Sequence, residues 1–456
     1  MRRLLIAFLV VTCVCAAFGA IAAYAVFFFG LNPFIAQLPT PTPTRLNAAT
    51  PTPLVIATAP PQANDTLNQL TKIELPLNDS NSIAPRLKGI APVPFATPTA
   101  PRTYKMGDTS TFWVSRDITG TYELVTATLS YSNTHTYIWV ERGINATDSD
   151  IKKSGDFFEN QIYPNDRRYL GSERVPGIDN DPHLFILVTR FRNAAGYITS
   201  SDEYPRTIRP YGNEHEMYYV NVNAASPGST FFNEVGTHEF AHLIHENASS
   251  QESSWIREGL GDLTIRLVMS RTTELTFFTR DPNLQLTGFS GDARTLLPYY
   301  EAAYLFLAYG LDRFGIDYLR DIVSSGTRDI YSIQHALDLH VNGMRFDDLF
   351  ADWVVANLVN NSQVANGKYS YKLDRPQINP RILSRLPATS TDSVHQYGTQ
   401  YYELPATQGD LTVAFHGDTT VPVIPTTAHS GKYFWWGMRA DLSDTSLTRA
   451  VDLTNV

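Results

Sequence analysis

The hydrophobic period of the sequence changes near residue 227. From about residue 105 up to that point, short alternating or apolar runs predict β-strands. These runs are 110–114, 124–129, 136–140, 184–188 and 217–222. After Pro227-Gly228, apolar residues recur about every 3.6 positions, which predicts helices. The clearest helices are 229 or 230 to 245, 255–269, 299–314 and 346–358. Strands followed by helices favour an α+β fold.

This change of period also suggests the domain boundaries. We expect a sheet lobe at 105–226 and a helical lobe at 227–375, with strand-like runs returning in a small, partial β domain at 376–456. Residues 36–104 contain two proline-rich stretches and are predicted to form a linker and strap. The first stretch, about 37–62, is also rich in threonine and predicts an extended spacer, whereas 63–100 is either linker or a strap docked on the body.

The N-terminal 35 residues resemble a signal sequence or a membrane anchor. Arg2 and Arg3 precede the apolar run 4–29, which is long enough to cross a bilayer, and no acidic residue follows before Asp65. The small residues around Ala20 and Ala25 would suit cleavage, whereas the length of the run suits an uncleaved anchor, so both alternatives stay open. In either case we expect the rest of the chain to be secreted or to lie on the extracellular side of the cell membrane.

Composition excludes nucleic acid as a partner and restricts the types of metal site. The net charge is -9, and no run of Lys or Arg occurs outside the extreme N-terminus. The only two cysteines, Cys13 and Cys15, lie within the apolar run. A metal bound downstream must therefore use histidine and carboxylate ligands. The sequence gives no indication of the oligomeric state.

The sequence His238-Glu239-Phe240-Ala241-His242 lies on the first predicted helix. Side chains four residues apart share one helical face about 6 Å apart, so both imidazoles can bind one metal ion. Glu239 is then directed toward the same site. Solvated histidines on a surface helix are the simpler alternative.

Glu258 and Asp262 form a second pair four residues apart, on the next predicted helix. One carboxylate can bind the metal while the other accepts the outer N–H of a ligand histidine. We take Glu258 as the third ligand and Asp262 as its supporting acid. His245 is predicted to be a capping or surface histidine, and His183, His215, His335 and His340 to be structural or solvated.

Together these motifs resemble the gluzincin metallopeptidases, in which a short zinc-binding motif is followed by a second helix with an acidic pair. The segment Trp255-Ile256-Arg257-Glu258-Gly259-Leu260 is most similar to the corresponding segment of the hyicolysin-like secreted bacterial peptidases. The resemblance covers about 105–370. Fifteen residues separate His242 from Glu258, a few fewer than in thermolysin-like enzymes. The metzincin pattern does not fit, because His245 and Ala248 stand where it requires glycine and histidine.

The resemblance implies a two-lobed fold with one catalytic Zn²⁺ in the cleft between the lobes. It also implies a tyrosine that stabilises the oxyanion, for which Tyr300 fits best, with Tyr299 and Tyr304 as alternatives. An extended peptide substrate would pair with a sheet edge, and strand 217–222 is the candidate.

The expected function is therefore that of an exported zinc peptidase. Three protein ligands leave one position for a water molecule whose pKa the metal lowers, and Glu239 acts as general base. Peptides or proteins would be the substrates, and the N-terminal segment would contact the membrane. The alternatives are a surface-binding protein with a non-catalytic zinc site and a zinc hydrolase of non-peptide substrates.

Overall fold

The computed structural model describes residues 80–90, 102–117, 120–289, 295–390, 392 and 394–403, and the backbone of four short strands beyond them. The chain divides into two units, residues 1–92 and 93–456. The first contributes helix α1 (Ser80–Lys88). None of the helices described is both long and apolar enough to span a bilayer. The apolar run 4–29 lies outside the described residues.

The second unit contains helices and strands in mixed order. Its helices are α2 (Asp148–Phe157), α3 (Tyr163–Leu170), α4 (Thr230–Ala248), α5 (Ser254–Met269), α6 (Thr276–Arg280), α7 (Leu297–Phe314), α8 (Ile316–Val323), α9 (Ile330–His340) and α10 (Phe346–Val359). Its first six strands are β1 (Thr109–Ser115), β2 (Tyr122–Ser132), β3 (Thr136–Glu141), β4 (Leu184–Thr189), β5 (Gly196–Tyr197) and β6 (Met217–Asn221). The α+β class expected from the sequence is confirmed.

These six strands form one curled sheet in the order β1-β2-β3-β4-β6-β5. β3, β4 and β6 run parallel, and the other neighbours are antiparallel. The crossover from β3 to the parallel β4 passes through α2 and α3. Parallel neighbouring strands need a crossover connection of this kind. It adds two helices to the region 105–226, for which the sequence predicts a sheet lobe.

The sheet is covered by apolar packing on both faces. Side chains alternate between the faces of a strand, so neighbouring residues enter different clusters. Ile138 and Ile186 pack with the helices, in the cluster that also contains Phe240 of α4 and Leu260 of α5. On the other face, residues such as Trp139, Phe185 and Tyr219 form a second cluster within the curl. The strands that support α4 are thus fixed on both sides.

One expectation about the sheet is wrong. Strand 217–222 was the candidate edge, but β6 (Met217–Asn221) lies between β4 and β5. After β4 the chain returns, and the two-residue strand β5 pairs with Tyr219 and Val220 of β6. β5 is therefore the edge strand on this side of the sheet.

The regular elements that the structure describes within 376–456 are strands. β7 (Arg381–Ile382) pairs with β8 (Tyr402–Glu403) in parallel, and two antiparallel pairs follow. These pairs are β9 (Leu411–Val413) with β10 (Thr426–Ala428), and β11 (Trp436–Ala440) with β12 (Thr448–Asp452).

Candidate metal centre

Helix α4 carries the two histidines and is fixed at its start by a cap. Ser229 has extended backbone angles, and its Oγ accepts the backbone N–H of Phe232 at 3.1 Å. Gly228 before it has a φ of +82°, a conformation suited to glycine, which turns the chain into the helix. Phe240 and Ile244 are fully buried against the sheet and the neighbouring helices. This packing fixes the rotation of α4 about its axis.

Helix α5 brings the acidic pair to the same place. The connection 249–253 is only five residues long, so α5 returns beside α4. Trp255 and Ile256 are almost completely buried at its start, and the indole N–H of Trp255 donates to Asp329 at 2.7 Å. Gly259 of α5 lies against Ala303 of α7, where an added Cβ would be 2.9 Å from the backbone, so these two helices approach closely.

His238, His242 and Glu258 come together as the sequence predicts. One potential ligand atom from each lies within 4.8 Å of the other two. Glu258 Oε2 is 3.2 Å from His238 Nε2 and 3.5 Å from His242 Nε2. Ligand atoms about 2.1 Å from one tetrahedral ion would be roughly 3.4 Å apart. The two distances from Glu258 Oε2 are close to this value, as zinc would require.

Asp262 pairs with the outer nitrogen of His238. Its Oδ1 is 3.0 Å from His238 Nδ1, which leaves Nε2 directed at Glu258. A carboxylate on the outer nitrogen of a metal-binding histidine fixes the tautomer and makes the ligand nitrogen more basic. The role predicted for Asp262 thus has the geometry that it requires.

The charges in this cluster are strongly coupled. Burial opposes a charge on His238, but the hydrogen bonds and negative charges of Asp262 and Glu258 raise its pKa well above the usual value. Burial lowers the pKa of His242 despite the charge of Glu258. Burial would raise the pKa of Glu258, but His242 and His238 together lower it well below its usual range. Glu258, which is partly buried, therefore carries a negative charge beside the two imidazoles.

Glu239 points away from the solvent and lies beside the edge of the sheet. It is 6% exposed, and burial raises the pKa of its carboxyl to about 8. A Cβ built on Gly196 of β5 would be 2.6 Å from Glu239 Oε1, so the edge strand passes directly against this carboxylate. Glu239 therefore lies between the strand edge and the histidines on its own helix.

Tyr300 is the tyrosine that α7 directs toward the cluster. Its ring is 6.4 Å from that of His238, and Phe289 packs edge-on against it at 5.2 Å. Burial, the charges of Glu258 and Asp262, and a hydrogen bond with Glu258 raise the pKa of its phenol, so the O–H group is retained. Of the two alternatives, Tyr304 is fully buried and donates to Asp374 at 2.6 Å.

The remaining histidines differ from the cluster. His245 is 1% exposed, neither of its ring nitrogens has a hydrogen-bond partner among the residues that the structure describes, and burial lowers its pKa to about 3. It is a core residue, so the prediction of a capping or surface histidine is wrong. His183, His215 and His340 each pair with an aspartate, at 2.5, 2.6 and 2.7 Å, as structural residues.

Sequence reasoning missed two residues that contact the cluster, Gly196 and Gly261. Their role is visible only in the short distances between these glycines and the side chains of Glu239 and His238 on another element. A sequence does not record such distances. A comparison with models of known protein families gives no match to this chain, and a search of curated proteins finds none that is significantly similar.

Proposed function

We propose that this protein is an exported, zinc-dependent peptidase of the gluzincin type, with a sheet lobe and a helical lobe around a metal cleft. One observation carries the proposal. In the cluster of His238, His242 and Glu258, Glu258 Oε2 lies 3.2 and 3.5 Å from the Nε2 atoms of the two histidines, Asp262 lies at the outer nitrogen of His238, and the buried Glu239 follows His238 in sequence. Zinc, when bound, would lower the pKa of a water molecule toward about 7 and polarise the substrate carbonyl.

Glu239 would accept the proton of the attacking water and pass it to the leaving nitrogen. General bases work best when their pKa lies near the working pH. Burial gives this carboxyl an elevated pKa in the absence of a cation, and a nearby positive charge would lower it again. A site that only needed structural metal would have no use for a buried carboxylate in this position.

Tyr300 would donate its phenolic O–H to the oxyanion that develops on the substrate. Burial, together with the negative charges of Glu258 and Asp262, raises the pKa of the phenol and keeps it protonated, and Tyr300 belongs to a different helix from the proposed ligands. A preorganised donor of this kind can contribute on the order of 3 kcal/mol to transition-state stabilisation.

The edge strand β5 would bind an extended peptide through its backbone. β5 ends the strand order of the six-stranded sheet, and its Gly196 lies against Glu239. A peptide added beside β5 would therefore run past the general base, which supports a peptide as substrate.

The test is cleavage of an unfolded protein by the full chain. We expect activity to be lost on chelation, restored by zinc, and reduced at least a thousandfold in Glu239→Gln, because the base is removed while the ligands stay. Glu274→Gln is the matched control, since Glu274 is exposed and lies outside the cluster. Zinc content is measured for each protein.

A zinc-loaded wild type that cleaves no protein or peptide would contradict the proposal. Cleavage of non-peptide esters or amides by the same preparation would then favour a different zinc hydrolase. Zinc that stabilises the fold without any hydrolysis would favour a binding protein with a structural ion.

A further inference from the structure

We infer that two glycines, Gly261 and Gly196, set the positions of the proposed ligand His238 and the proposed base Glu239, because neither glycine has a side chain. The expected changes in zinc affinity and in turnover rest on the proposed function, whereas the expected changes in structure and stability do not. Each glycine lies on a different element and contacts a different residue of the cluster.

Gly261 makes room for the imidazole of His238. It lies in the middle of α5, three residues after Glu258 and directly before Asp262. A Cβ at this position would be 2.6 Å from Cε1, 2.7 Å from Nδ1 and 2.9 Å from Nε2 of His238. Real Cβ atoms do not approach other atoms so closely, so the ring would have to move. The move would disturb its contacts with both Glu258 and Asp262, which are 3.2 and 3.0 Å long.

Gly196 makes room for the carboxylate of Glu239. It begins β5, opposite Val220 of β6, and faces α4. A Cβ there would be 2.6 Å from Glu239 Oε1, 2.8 Å from its Cγ and 2.6 Å from Val235 Cγ1. Because β6 holds β5 by backbone hydrogen bonds, the strand is less free to retreat than the side chain of Glu239. The missing Cβ therefore fixes where the base can lie.

Neither glycine is required by the conformation of its own backbone. Among the glycines described, those with positive φ angles do not include Gly196 or Gly261. Alanine is also more stable than glycine inside a helix or a strand. Local stability thus favours alanine at both positions, and only the approach to His238 and Glu239 favours glycine.

The experiment compares Gly261→Ala, Gly196→Ala and a control in the full chain. Gly310→Ala is the control because a Cβ at Gly310 of α7 would be 2.6 Å from the ring of Tyr318, a clash of the same size in the hydrophobic core. Zinc affinity is measured by competition with a chromophoric chelator, stability by thermal unfolding without metal, and side-chain positions by crystal structures of the metal-free variants.

We expect Gly261→Ala to lower zinc affinity at least tenfold, with the His238 ring displaced. We expect Gly196→Ala to keep zinc affinity within about twofold, to displace the Glu239 carboxylate, and to lower kcat at least tenfold. In a Glu239→Gln background, Gly196→Ala should cause no further loss of kcat, since its effect acts through Glu239. Gly310→Ala should lower stability and leave zinc affinity unchanged.

If Gly261→Ala does not fold, the pair His238→Ala and His238→Ala/Gly261→Ala replaces it. With the ring removed, alanine at 261 should raise the unfolding temperature, because only the helix preference remains. The inference is wrong if His238 and Glu239 keep their positions in the metal-free crystals, or if the second alanine lowers the unfolding temperature of His238→Ala. If the wild type proves not to be a zinc peptidase, the metal-free crystal structures and the unfolding temperatures still decide the inference.

Discussion

The acidic groups around His238 would favour a cation in this cluster. Glu239, Glu258 and Asp262 approach it with carboxyl groups, while His238 is the imidazole whose pKa is raised. A buried charge is costly unless it is paired or bound to a metal. Acidic groups exceed basic ones within the cluster, so a divalent cation would balance them better than a proton on one histidine.

Asp262 provides a test of this account at the scale of one residue. Asp262→Asn removes the negatively charged carboxylate beside Nδ1 of His238 and keeps nearly the same side-chain shape. We expect zinc affinity to fall by about 10- to 100-fold, as is usual when the partner of a ligand histidine is changed. Chelator competition measures the effect.

Asp317→Asn serves as the control for Asp262, since Asp317 is 74% exposed and lies on α8. It should leave zinc affinity unaltered. Equal zinc affinities for Asp262→Asn and the wild type would show that Asp262 does not support the ligand.

At the scale of elements, α4 depends on a defined start. Ser229 Oγ accepts from Phe232 and also donates to the carbonyl of Ser226 at 2.7 Å. Loss of an N-cap side chain costs about 1 kcal/mol. We therefore expect Ser229→Ala to lower the free energy of unfolding by about that amount, measured by urea unfolding.

Ser229→Asp is the matched variant for this prediction, because aspartate is also a good N-cap. It should retain most of the wild-type stability. A loss as large in Ser229→Asp as in Ser229→Ala would mean that the cap bond is not what stabilises the start of α4.

The elements also differ in how far the sequence predicts them. α4, α5, α7 and α10 were predicted to within about two or three residues at either end, because each has a long apolar pattern with clear start or stop signals. α2 and α3 were missed, since α2 is polar, with Ile151 as the one apolar residue among its buried positions, and a wider turn at Phe158–Ile162 separates it from α3. β5 was missed because two residues cannot show an alternating pattern.

At the scale of the whole molecule, a buried polar network ties β1 to β6. Asn213 exchanges two hydrogen bonds with the backbone of Trp113 in β1, at 2.8 and 2.9 Å. Its own N–H donates to Asp202 at 2.7 Å, and the Tyr219 hydroxyl of β6 donates to Asp202 at 2.8 Å. Asp202 is 1% exposed, and burial raises the pKa of its carboxyl to about 7. This network helps to hold the curl of the sheet.

The network predicts a dependence of stability on pH. Asp202 ionises near pH 7 in the folded chain but near its ordinary value, about 4, when unfolded. The folded state therefore binds more protons between these pH values, so the stability from this group is complete below about pH 4 and is lost as pH rises to about 7. Asp202→Asn should gain stability relative to the wild type over that range, by a few kcal/mol.

Urea unfolding at a series of pH values measures this difference, with Asp317→Asn as the control that should follow the wild type. A constant difference between Asp202→Asn and the wild type from pH 4 to pH 7 would show that the carboxyl of Asp202 is not held neutral by the fold.

The sequence by itself determined the α+β class, the helix with His238 and His242 on one face, and the acidic pair of Glu258 and Asp262 on the next helix. Those features depend on local periodicity and on side chains four residues apart, which a linear sequence records. Only the tertiary structure decided that β5 is the sheet edge, that His245 lies in the core, and that Gly196 and Gly261 adjoin the cluster. These facts depend on the distance between elements that are remote in sequence, and packing alone fixes that distance.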